Sequence, residues 1–297
     1  MNRKVVSGTM LILLVMSMLT FAFNIQQVEA ESRTWTVDDD RPAEFHTIQE
    51  AINAANSGDT IFVYNGTYYE NVVVNKSLSL YGENRNNTII DGGWIGTVVH
   101  VTSDYVNVSG FTIKNCGPPG GPSLCSGIHL DFIDNCKISG NTITNDFWNT
   151  AGNDFGIWPD SSSNNFIFNN TLSVCTYAIG GPLMKGNKQN ILDNFISNNR
   201  FGIYLTESSH SIISNNTILD SRSLGIYLLY CNSTTLLKNN MTDNVFGLEV
   251  FGSSLSHFIQ DIDTSNTVNS KPIYYLVNQK NLMIDPLINP NIGFLAL

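Results

Sequence analysis

Gly127-Ile-His-Leu130, Gly156-Ile-Trp158, Gly202-Ile-Tyr-Leu205, Gly225-Ile-Tyr-Leu228 and Gly247-Leu-Glu-Val250 are copies of one phrase, and a degenerate copy, Ala178-Ile-Gly180, fills the gap between 156 and 202. Successive copies begin 29, 22, 24, 23 and 22 residues apart. A unit of that length cannot bury its apolar side alone, so the period signals a solenoid in which each coil covers its neighbours. Within a copy the apolar residues alternate, Ile128 with Leu130 and Ile203 with Leu205. That is the pattern of a strand with one face turned inward.

A second series keeps step with the first. About 14 residues after each phrase an Asn precedes an alternating strand: Asn141-Thr-Ile-Thr, Asn170-Thr-Leu-Ser, Asn194-Phe-Ile-Ser, Asn216-Thr-Ile-Leu and Asn240-Met-Thr. Each coil therefore holds at least two short strands. Coils stack about 4.8 Å apart, close enough for Asn side chains at one turn to pair along the axis. The predicted fold is all-β, a right-handed, single-stranded parallel β-helix.

Outside this array the ends read differently. Met1–Ala30 carries Arg3 and Lys4, an apolar run from Met10 to Phe23 and the small-residue site Val28-Glu-Ala30, which is the form of a secretory signal, with an uncleaved anchor as its alternative. Residues 31–59 then supply a first strand, Thr34-Trp-Thr-Val-Asp38, and a helix opened by Thr47-Ile-Gln-Glu50 with Ile48, Ala51, Ile52 and Ala55 on one face. Such a helix plugs the open end of a solenoid core. Residues 60–285 are expected to be coils, and 286–297 a tail without an obvious cap, where the chain is truncated or meets a partner of the cell envelope.

A net charge of −10 with 15 basic residues argues against nucleic acid and anionic membranes as partners. Sequons at Asn65, Asn75, Asn86, Asn107, Asn169, Asn215, Asn232 and Asn240 suit a glycosylated surface protein, although a chain rich in Asn, Ser and Thr also makes them by chance. Five cysteines form no zinc or haem pattern. Cys116 and Cys125 bracket one loop that a disulfide would close, whereas Cys136, Cys175 and Cys231 read as small buried residues.

Aligning the coils puts His100, His129, Trp158, Gly180, Tyr204, Tyr227 and Glu249 in one outward column. Asp131 and Asp160 follow two residues later, and Asp154 and Arg200 stand two residues before the repeat glycine. Aromatic rings and carboxylates on one face suit a polysaccharide or glycan chain, with His129, Asp154, Trp158, Tyr204 and Tyr227 as its binding residues. The longest loops, Cys116–Cys125, Asn145–Asn153 with Trp148, and Gly181–Gly186, flank the same face. Cross-strand decoration is the competing explanation of the aromatics. If the protein is an enzyme, Asp131, Asp160 and Arg200 are its candidates, since stacked carboxylates raise one another's pKa and serve hydrolase, lyase or epimerase chemistry. His100, His129 and Asp131 also form a nitrogen and oxygen ligand set, and Asp38-Asp-Asp40 is acidic enough for calcium. Nothing in the pattern requires a cofactor.

The stretch from Trp35 through the helix to Tyr64-Asn-Gly-Thr-Tyr-Tyr-Glu-Asn-Val72 resembles the opening of pectin methylesterases and, more closely, of NosD-like secreted β-helix proteins. The coils are similar to that family's parallel β-helix repeats, and Asp263-Thr-Ser-Asn-Thr-Val-Asn-Ser-Lys-Pro-Ile-Tyr-Tyr275 resembles archaeal members. The resemblance implies a pectin-lyase-like solenoid and export, and it raises copper handling, since NosD is linked to copper delivery. No Met or Cys cluster suited to Cu(I) accompanies it. Repeats of this kind report fold more than activity. The Asn-Thr-Asp, Gly-His-Gly and Arg-Ile-Lys of polygalacturonases, the Gly-Arg-Pro-Trp of pectin methylesterases and the Asp-Pro-His of alginate epimerases are absent, which leaves a purely structural surface protein as a further alternative.

Overall fold

The computed structural model describes residues 31–117, 124–145, 153–182, 184–279, 283–285, 287 and 291–296. The expected signal sequence lies outside the described residues, as do the interiors of two of the loops, including Trp148.

Each coil contributes one strand to each of three sheets, of ten, eight and eleven strands, and every pairing between successive coils is parallel. Inward columns of β-branched and aliphatic residues make the core. One runs Ile138, Ile167, Ile191, Ile213 and Leu236. A second runs Ile113, Ile143, Leu172, Ile196, Ile218 and Met241, and a third Ile128, Ile157, Ile179, Ile203 and Ile226. These side chains are essentially solvent-free. Their branched shape fits the pleated, closely spaced surface of a stacked sheet.

The corner between the ten- and eleven-stranded sheets is a two-residue turn. Its first residue is left-handed, as at Gly140, Asn169, Asp193, Asn215 and Lys238. Its second is a buried Asn: 141, 170, 194, 216 and 239; Asn266 continues the series at the end of a longer turn, residues 263–266. Asn194 illustrates the unit. Its side-chain oxygen accepts from the backbone N–H of Asn170 at 3.0 Å, and its amide donates to Ile167 O at 2.9 Å and to Asn216 Oδ1 at 3.0 Å. The ladder thus satisfies turn groups that no sheet partner reaches. Asn239, not the expected Asn240, is the fifth member: Lys238 takes the left-handed position, and Asn240 is exposed on the next strand.

At the start, the helix Ile48–Ala54 buries Ile48, Ala51 and Ile52 over the first coil. The Thr47 side chain accepts from Glu50 N, while the N–H groups of Ile48 and Gln49 donate to the Glu70 carboxylate at 2.8 and 2.9 Å. Glu70, distant in sequence, thus satisfies two free N–H groups of the first turn.

Parallel coils end at Val268 rather than near 285. Asn269 and Ser270, both left-handed, reverse the chain so that Lys271–Tyr275 pairs antiparallel with Thr267–Val268, and Phe294–Ala296 adds beside it. Part of the expected tail is therefore a strand. An apolar cavity of about 470 Å³ lies there, lined by Val250, Leu255, Phe258, Tyr275 and Phe294.

Candidate functional site on the eight-stranded sheet

The repeat glycine is a steric requirement. Ideal Cβ atoms would lie 2.5 Å from Ala178 O at Gly156 and 2.4 Å from Gly225 O at Gly202, with core side chains at 2.9 and 2.7 Å. The chain bends inward at this residue, which has no Cα partner in the register. As a result the residue before the glycine and the residue two after it both face outward. Phe155 and Trp158, which a strict pleat would send to opposite faces, stack at 4.6 Å and 16°.

The sheet thus carries two outer columns. The anticipated one stands in register as His100, His129, Trp158, then Gly180, Tyr204, Tyr227 and Glu249. The second, missed because alternation was read straight through the glycine, is Phe155, Tyr177, Phe201, Leu224 and Phe246. The stack passes between them. His100 and His129 lie 5.1 Å apart, His129 and Trp158 4.3 Å, Phe155 and Tyr177 5.2 Å, and Tyr177 and Phe201 5.0 Å, all within 18° of parallel. Tyr204 fills the space beside Gly180 by turning edge-on to Tyr177, Phe201 and Tyr227. Phe155, Trp158, Tyr177 and Tyr204 are all buried, forming a small apolar cluster outside the main core. Burial pushes the Tyr204 phenol up to about 12, and those of Tyr177 and Tyr227 upward as well.

The same inward bend relocates Asp154. Expected on the outer face, it is buried and accepts hydrogen bonds from Asn145 Nδ2 at 3.1 Å and from the Thr176 hydroxyl. It is a structural carboxylate and is closed to a surface ligand. Arg200 stays exposed with its guanidinium 5.4 Å from the Phe201 ring. It enters two coils beyond Asp160 and at the opposite edge of the sheet, so the three catalytic candidates do not converge.

Asp131 and Asp160 are register partners, and each carboxylate meets the imidazole of the preceding coil. Asp131 Oδ2 is 3.0 Å from His100 Nε2, and Asp160 Oδ2 is 3.9 Å from His129 Nε2. Burial, opposed by Asp131, lowers the His129 pKa, which favours the neutral ring. His129 Nε2 and Trp158 Nε1 are both buried without a hydrogen-bond partner. At the other acidic cluster, Asp38 is spent on its own turn, accepting from Asp40 N and Arg41 N, while Asp39 accepts from Thr67 N. Cys116 and Cys125, the pair expected to close the loop, are buried with their sulfurs 2.7 Å apart. Cys136, Cys175 and Cys231 are buried, and burial raises each thiol pKa.

Three parallel sheets wound coil on coil, an N-terminal capping helix and an Asn ladder define a pectin-lyase-like parallel β-helix protein. The family model described as periplasmic copper-binding protein (NosD) matches residues 52–271, and the chain belongs to that family. A cell surface glycoprotein of Methanothermus fervidus is 30% identical over 293 residues, covering 82% of this chain and 48% of its own length. The chain thus spans about half the length of that curated relative. Among solved structures, an alginate lyase from a Paenibacillus species superposes with a TM-score of 0.62 at 16% identity, covering 81% of this chain and 89% of that one. Carrot pectin methylesterase does so with a TM-score of 0.52 at 13% identity, covering 80% and 89%. At such identities these two likenesses concern the fold alone.

Proposed function

We propose that this chain is an extracytoplasmic, surface-displayed β-helix protein that binds a polysaccharide or glycan along the outer face of its eight-stranded sheet. The family and the cell-surface relative support the location. The observation that carries the binding is the pair of buried, unpartnered nitrogens, His129 Nε2 and Trp158 Nε1, on the aromatic strip beside Asp131 and Asp160. An unpaired buried donor costs about 1–3 kcal/mol, and a ligand hydroxyl that pairs with it, once the ring edges turn to admit it, recovers that cost. Both faces of Trp158 are taken by His129 and Phe155. Recognition therefore rests on ring edges and polar groups, with sugar faces reserved for the half-exposed Tyr227 end.

The test is calorimetric titration of residues 31–297 with a panel of uronic-acid and neutral polysaccharides, alongside Trp158→Phe, which keeps the stacked ring and removes the N–H. Saturable binding that weakens roughly 3- to 10-fold in the variant is expected. Absence of saturable binding, or equal affinity in both proteins, overturns the proposal. A second reading, acid–base catalysis at Asp131 and Asp160, has the contact of Asp131 with His100 in its favour. New reducing ends or unsaturated products that vanish with Asp131→Asn would put catalysis in place of simple binding.

A further inference from the structure

One ring nitrogen of His100, one of His129 and an Asp131 carboxylate oxygen all lie within 4.8 Å of one another. No loop positions these ligands. His100 and His129 are register partners, and Asp131 follows His129 by two residues on the same strand face. Strand pairing fixes the spacing, as a preorganised site requires. Trp158 stacks on one face of His129 and His100 on the other.

Two observations distinguish this cluster from surface histidines met by chance. The first is that His129 Nε2 is buried with no hydrogen-bond partner, on a side chain only 14% exposed. A buried nitrogen lone pair or N–H is normally satisfied, and this one looks toward carboxylates without bonding either. The second is that Asp160 Oδ2 lies 3.9 Å from the same nitrogen, with its other oxygen accepting from the Ser161 hydroxyl at 3.1 Å. The set is two imidazoles and two carboxylates, whose charge balances a divalent cation.

We propose that His100, His129 and Asp131 bind one divalent transition-metal ion of the imidazole-preferring class, with Asp160 as a fourth ligand in reach. Calcium and magnesium favour all-oxygen shells. Cu(I) favours thiolates and thioethers, and none is among these ligands. Zinc, nickel and Cu(II) fit the donors, so the copper in the family's description is compatible with this site only in its oxidised form.

The experiment uses tag-free protein stripped with chelator and contains no polysaccharide, so its result is independent of glycan binding. Zn²⁺, Cu²⁺ and Ca²⁺ are titrated separately by calorimetry, and the Cu²⁺ form is examined by electron paramagnetic resonance. One equivalent of Zn²⁺ or Cu²⁺ should bind with a Kd of about 1 µM or tighter, with two-nitrogen hyperfine splitting for Cu²⁺. His100→Gln, at a residue one-third exposed, and Asp131→Asn should each weaken binding by roughly 10-fold or more. His210→Gln, at an exposed turn, should leave it unchanged. His129→Gln should abolish the two-nitrogen signal, with circular dichroism checking that the variant is folded. Binding unaffected by His100→Gln, or Ca²⁺ bound as tightly as Zn²⁺, refutes the site.

Discussion

Adjacent asparagines at 239 and 240 offer a sharp test of the ladder, because one is inside it and the other is not. Asn239 is fully buried. Its oxygen accepts from Asn216 N at 3.1 Å and Asn216 Nδ2 at 3.0 Å, and its amide donates to Ile213 O at 2.8 Å and Asn266 Oδ1 at 2.9 Å. Asn239→Ala strands the backbone N–H of Asn216 and removes a donor from the Ile213 carbonyl. Asn216 Nδ2 keeps its bonds to Ile191 O and Ser214 O. Two buried groups at about 1–3 kcal/mol each give a loss of about 2–6 kcal/mol. Asn240 is exposed and its side chain accepts from two threonine hydroxyls, at 3.2 and 3.0 Å, so Asn240→Ala, which leaves the backbone bond to Asn216 O in place, should stay within about 0.5 kcal/mol of the parent. Urea unfolding of unglycosylated protein measures both. Because solenoid coils interact mainly with their neighbours, hydrogen exchange supplies the local readout. The Asn216 amide should exchange roughly 30-fold faster or more in Asn239→Ala, and amides of the first coils should not change. Equal destabilisation by the two variants would refute the assignment of the ladder.

Other expectations follow from the outer sheet. Gly202→Ala should destabilise by about 1–3 kcal/mol, since its Cβ would lie 2.4 Å from the Gly225 carbonyl oxygen; Ala178→Gly, at a coil that already accommodates a methyl group, should cost less than half of that in the same urea assay. Stability should also fall in alkali, because the Tyr204 phenol is raised from 10.0 to about 12. The unfolded chain releases this proton first, so the contribution is whole below pH 10 and is lost as pH rises from there through about 12. Tyr204→Phe should flatten that part of the stability profile, and an unchanged slope would show that the phenol is not shielded.

The repeat phrase made the architecture legible because strand period, coil length and the inward Ile column are all properties of nearest neighbours. The same logic put His100, His129, Trp158, Tyr204 and Tyr227 in one register column and Asp131 beside Asp160. Failures occurred where local pattern and tertiary demand differ. A pleat rule cannot see that Gly156 and Gly202 interrupt alternation, so Phe155, Tyr177 and Phe201 were overlooked and Asp154 was placed outside. Residue type marks the ladder, but a sequence reading that takes Asn240 as the member is one residue out of frame, because Lys238 holds the left-handed position. Glu70 at the helix start was out of reach, being 22 residues from the Ile48 amide it accepts from.

The same glycine links fold to function. Without the bend, the residue before each glycine would point into the core and the outer sheet would carry one aromatic column; with it, two columns close on each other and a buried patch forms outside the main core. That patch holds the polar end in place. Trp158 bridges the columns by stacking on Phe155 at 4.6 Å and on His129 at 4.3 Å, so the imidazole that approaches Asp131 and Asp160 is backed by a packed cluster instead of water. Interior-like surroundings strengthen electrostatic and coordination contacts and penalise unpaired groups. Under the binding proposed above, a site on this face would select ligands that satisfy His129 and Trp158 in full, whether by hydroxyls or by a metal ion. The coils beyond Tyr227, where the rings open to solvent, would contribute contact length without such selectivity.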